Sequence, residues 1–88
     1  MNVYLLFGGF NGYNTYDSAV VIAADEESAR MTHPRGDDIK WTGRMWGTEW
    51  SALSDHSWVP PDDVDVTCIG TAIPNASAGV VLASFNAG

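Results

Sequence analysis

The chain has 88 residues, 45% of them apolar, and its 11 acidic against 4 basic side chains give a formal charge of −7 with histidine neutral. A chain this short buries only about 60 to 65% of the surface it exposes when unfolded, enough for one modest core in a single domain, which excludes a large multi-step enzyme. The one cysteine, Cys68, excludes an internal disulfide and a four-cysteine zinc site and fits a reducing compartment.

In chain order, Val3, Leu5 and Phe7 alternate with Tyr4, Leu6 and Gly8, which predicts a first strand within residues 1–10 that is apolar, and so buried, on both faces. The run is far shorter than the roughly 20 residues a bilayer span requires, and no basic region precedes it, so the expectation is a soluble chain. From Gly8 to Tyr16, three glycines and two asparagines predict a chain reversal. A phosphate loop also follows a strand, but this segment has no lysine and no helix directly after it. Ser18 to Ala24 reads as a second strand of β-branched and small residues, and the short connection predicts antiparallel pairing.

Asp25 is placed to cap a helix over 26–33, with Glu26 and Glu27 in its first turn and Arg30 near its end, matching the helix dipole at both poles. Pro34 closes it, because the residue before proline is pushed out of the α region. Residues 35–58 show no clean period of 2 or 3.6 and carry tryptophans at 41, 46, 50 and 58, so the pattern assigns no helix or strand there. Beyond Pro60-Pro61, Val64, Val66 and Cys68 alternate with polar positions in a half-buried strand over 64–69, where the thiol behaves as a small hydrophobe rather than a nucleophile. A loop over 70–79 leads to a last strand over 79–88. The sum is an α+β fold, a small antiparallel sheet of about four strands with one short helix packed on one face.

All four basic residues, Arg30, Arg35, Lys40 and Arg44, fall within fifteen positions that contain two acids, Asp37 and Asp38, so this window carries +2 and the remainder −9. His33, Trp41 and Trp46 are interleaved with them. Guanidinium forks suit phosphate and indole faces suit a planar base, so the segment is a candidate site for a nucleotide-like ligand. The competing reading makes the tryptophans core residues of a leucine-poor domain and the arginines ordinary partners for its acids.

Other combinations carry less. Asp55-His56-Ser57 has the residue types of a hydrolytic triad, but adjacent residues rarely converge on one point, and a polar turn is expected. Asp62, Asp63 and Asp65 lack the glycine and distal glutamate of a calcium loop and read as solvated edge residues. No helical histidine pair suggests a metal site, and no cofactor is expected. Asn75-Ala76-Ser77 matches the glycosylation acceptor pattern, which has no consequence in a cytoplasmic protein. Strong acidity argues against direct binding to nucleic acid or an anionic membrane and permits binding to a basic protein.

Several stretches together carry a family likeness: Tyr16-Asp17-Ser18-Ala19-Val20-Val21 leading into Glu26-Glu27-Ser28-Ala29-Arg30, His33-Pro34, Trp58-Val59, Ile69-Gly70-Thr71-Ala72, and above all Gly79 to Gly88, GVVLASFNAG. On these marks the chain resembles a family of short, largely uncharacterised bacteriophage proteins that end in such a strand. The resemblance implies a phage-encoded, non-catalytic binding protein in the host cytoplasm, acting stoichiometrically against host defence or host machinery.

Two mechanisms fit that role. In one, the cationic segment sequesters a nucleotide-derived signal, with Arg35 and Arg44 on phosphate oxygens, Trp41 or Trp46 stacked on a base, and His33 and Tyr13 supplying hydrogen bonds. In the other, the acidic surface mimics nucleic acid and blocks a host nuclease, polymerase or CRISPR effector. A minor virion or scaffold component is a third reading, and a small hydrolase built on His33 or His56 a fourth. A homodimer is expected, because a small sheet with surplus apolar surface completes its core with a second copy.

Overall fold

The computed structural model describes residues 1–9, 15–36, 38–48, 51–55 and 57–86, with the backbone alone at 48 and 51–55. In chain order it runs β1 (Asn2–Phe7), β2 (Thr15–Ala23), α1 (Glu26–Arg30), β3 (Ile39–Trp41), β4 (Trp46–Thr48), β5 (Ser51–Asp55), a 3-10 turn at Pro61–Asp63, β6 (Asp65–Thr71) and β7 (Gly79–Asn86). A four-stranded antiparallel sheet in the order β6-β1-β2-β7 carries the fold, and β3-β4-β5 form a separate three-stranded sheet. The architecture is the expected α+β one.

Register explains why one face of the large sheet becomes core. Tyr4 lies opposite Val21 and Leu6 opposite Ala19, so large side chains of β1 alternate with small ones of β2 on the inner face. Over them pack Ala29 of α1, Ile39 and Trp46 of the small sheet, and Trp58 and Val64, in one continuous cluster. Leu6 and Val21 are completely buried, each contributing roughly 1.5 to 3 kcal/mol by area. Gly8 leaves β1 so close to Trp58 that a Cβ there would lie 2.9 Å from Cζ3 of the indole.

The sequence expectations need correction at four places. β1 is covered on one face only: Leu5 and Phe7, on the other, are 37% and 51% exposed. The helix ends at Arg30, with Met31 as its C-cap, because His33 turns into the core instead of extending the helical path. Cys68 is exposed although its neighbours Val64 and Val66 pack inward, since β6 forms the sheet's edge and the helix side covers only its first residues. Residues 35–58 contain regular structure after all, the small sheet, whose β3 and β4 are three residues each.

Candidate functional site

α1 is a five-residue helix, too short to persist by itself, and its ends show what holds it. At the start, the Asp25 carboxylate accepts the Ser28 backbone N–H at 2.8 Å, and that bond, with a second from the Ser28 hydroxyl, holds the Asp25 pKa below its ordinary value. At the other end, Arg30 Nη1 donates to the carbonyls of Pro61 at 2.8 Å and Val64 at 2.6 Å, while Nη2 lies 3.6 Å from Glu26 Oε1. The exposed ion pair adds little, whereas the two carbonyl contacts are charge-assisted and part-buried.

One guanidinium therefore joins two acidic runs from distant parts of the sequence. Asp25, Glu26 and Glu27 border the helix start, Asp62 and Asp63 sit in the 3-10 turn between the two carbonyls that Arg30 grips, and Asp65 opens β6; all six are exposed. With Arg30 as their internal cation, they give this end of the molecule a formal −5. Pro61 at the first position of the 3-10 turn and the Asp63 N–H to Pro60 carbonyl bond at 2.9 Å fix the run in place. Among the described residues no three carboxylate, histidine or cysteine side chains converge as metal ligands would, so the carboxylates form a charged surface rather than a chelating cup.

The cationic segment divides. Trp46 is 2% exposed, donates its indole N–H to the Val59 carbonyl at 2.7 Å, and meets His33 and Trp41 edge-on at 5.1 and 5.4 Å between ring centroids. His33 is 1% exposed, accepts the Arg35 backbone N–H on Nδ1 at 3.0 Å, and touches Tyr16 edge-on. Both are core side chains with no face open to a ligand, so stacking on Trp46 and a ligand hydrogen bond from His33 are closed in this conformation.

Trp41 is half-buried, Arg35 is exposed, and Arg44 is exposed at the tip of the β3–β4 hairpin. There, Thr42 and Met45 exchange backbone and side-chain hydrogen bonds, and Gly43 takes φ +98. Lys40 alternates with the inward Ile39 and is exposed. Arg30, the fourth cation, is the clamp described above. Tyr13 and His56 lie outside the described residues, as do most of the predicted 8–16 reversal, Asp37 and Trp50.

From the sequence, Asp62, Asp63 and Asp65 are edge acids on which the nucleic-acid-mimic reading rests and Arg30 is a dipole partner; that Arg30 joins them to the acids of the helix start is visible only in the fold. The available signal was weak: an arginine at a helix end beside two separate acid runs, with nothing in local pattern to say that they meet. No protein-family model matches this chain, and neither a curated protein nor a solved structure matches it.

Proposed function

We propose that this chain is a non-catalytic binding protein that engages a basic protein surface through its acidic end, Asp25, Glu26, Glu27, Asp62, Asp63 and Asp65. One observation carries the reading: Arg30 holds the two acid runs together on one surface in a chain of net −7. Such a surface attracts the cationic lining of a phosphate-binding groove and repels nucleic acid itself. The resemblance to short bacteriophage proteins supplies the setting, a phage product in the host cytoplasm that occupies the nucleic-acid groove of a host nuclease, polymerase or CRISPR effector. Its test is charge reversal. Asp62→Lys, Asp63→Lys and Asp65→Lys together should abolish capture of a basic partner from host extract and leave the thermal unfolding midpoint nearly unchanged; equal capture by both proteins contradicts the reading.

A second reading keeps the nucleotide-type ligand at the hairpin. Half-buried Trp41 and exposed Arg44 lie in and beside one tight turn, which supports a shallow stacking site with a guanidinium for phosphate. Native mass spectrometry with linear and cyclic nucleotides and ADP-ribose derivatives separates the two. A nucleotide retained by the parent chain and lost in Arg44→Ala or Trp41→Ala favours sequestration, and an empty protein across the panel favours the acidic surface.

A further inference from the structure

We infer that the uncovered face of the four-stranded sheet is where a second copy of this chain packs, sheet against sheet, in a symmetric dimer. The face is built by register. Leu5 lies opposite Val20 and Val20 opposite Leu82, so one apolar row crosses β1, β2 and β7, and Phe7 and Ile22 extend it along the strands. Leu82 is 68% exposed and, with Ser18, Ala19, Val20, Ala83 and Ser84, lines a hollow of ≈ 270 Å³ between β2 and β7. An exposed leucine and a hollow on the same surface are the relief that an isologous contact uses, each copy offering both.

Charge selects the occupant. Two copies of a −7 chain repel wherever their carboxylates face one another, so a surface without charge is where they approach with least repulsion. Among the described residues the crossing row contains no charged side chain, and Asp65, paired with Phe7, stands at one corner. A basic partner finds no counter-charge here; the acidic end provides that elsewhere. Continuation of the sheet at its edges is the other route to self-association, but the pairings that place β6 and β7 at the edges both carry register shifts, which bend an edge away from further pairing.

The area is sufficient. Four strands spaced about 4.8 Å apart and averaging about 25 Å long present roughly 450 to 500 Å² in projection, so two faces bury on the order of 1,000 Å² before side-chain relief is added, the size at which specific interfaces begin.

The test is the mass of the intact chain by light scattering and sedimentation over a range of concentrations. The parent protein should run at twice its 9.5 kDa chain mass. Leu82→Arg and Leu5→Lys, both at solvent-exposed positions, should each give a monomer with an unchanged far-ultraviolet circular dichroism spectrum, and Ile73→Arg, exposed in the β6–β7 loop outside the strands, should leave the dimer intact. A parent chain that is monomeric at every concentration overturns the inference, as does a dimer that survives both sheet substitutions or is lost in Ile73→Arg. Charge reversal at Asp62 and Asp63, which lie in the 3-10 turn outside the sheet, should leave the dimer in place, so failure of the acidic surface and failure of this interface are read separately.

Discussion

Arg30 Nη1 lies 2.6 Å from the carbonyl oxygen of Val64, a residue 34 positions further along the chain, and this contact fixes how the helix and the second acidic run sit together. Its partner bond to the Pro61 carbonyl makes the guanidinium a bracket between α1 and the start of β6. Arg30→Met removes the bracket and leaves two part-buried carbonyls to find water. It should lower stability by about 2 kcal/mol, read from urea denaturation. Arg30→Lys should recover only part of this, because a point charge cannot reproduce the fork.

Trp46 and Trp58 are both core tryptophans and differ in one respect. Trp46 donates its N–H to Val59, whereas the N–H of Trp58 is buried without a hydrogen-bond acceptor among the described residues. Phenylalanine removes the same atoms at each site, so Trp46→Phe should cost more than Trp58→Phe, by about 1 to 3 kcal/mol, because only the first leaves an acceptor unpaired. Equal losses in chemical denaturation would show that the Val59 bond contributes nothing.

Gly8 is required by its neighbour rather than by its own backbone. An added methyl would meet Cζ3 and Cη2 of the buried Trp58 ring and Cγ2 of Val59 within 3.1 Å. Gly8→Ala should destabilise the fold by about 1 to 3 kcal/mol, as overpacking does. Trp58→Phe in the same chain should relieve part of that loss, a coupling that a double-mutant cycle measures.

Acid should loosen the helix start through Asp25. Its folded-state pKa is lowered by the Ser28 hydrogen bonds, so its contribution is complete above the unfolded carboxylate pKa and disappears as pH falls through the lowered folded value. Asp25→Asn keeps a capping acceptor without the charge. The variant's thermal midpoint should therefore fall less steeply than the parent's on the acid side of the carboxylate range, and parallel acid limbs would remove Asp25 as a source of the pH dependence.

The large sheet was legible because its strands are written in local chemistry. Val20, Val21 and Ile22 are β-branched, Pro60-Pro61 and Gly79 punctuate β6 and β7, and Asp25 with Glu26 and Glu27 marks the helix start. The small sheet was not legible, since three-residue strands show no period and their pairing rests on Trp41 meeting Trp46 across a turn. Leu5, Phe7 and Cys68 were misplaced for a related reason: alternation predicts which side chains share a face, and only tertiary packing decides whether anything covers that face. For the cationic segment, clustering in sequence did not predict accessibility, because His33 and Trp46 complete each other's packing. The acidic end depended on a long-range hydrogen bond that no local pattern encodes.

The acidic end is tested most directly by quantitative affinity capture from host extract, with the parent chain and the Asp62→Lys, Asp63→Lys, Asp65→Lys variant compared at low and raised salt. A basic protein should be retained by the parent, released by salt and lost from the variant. A partner held equally by both proteins and indifferent to salt would contradict it.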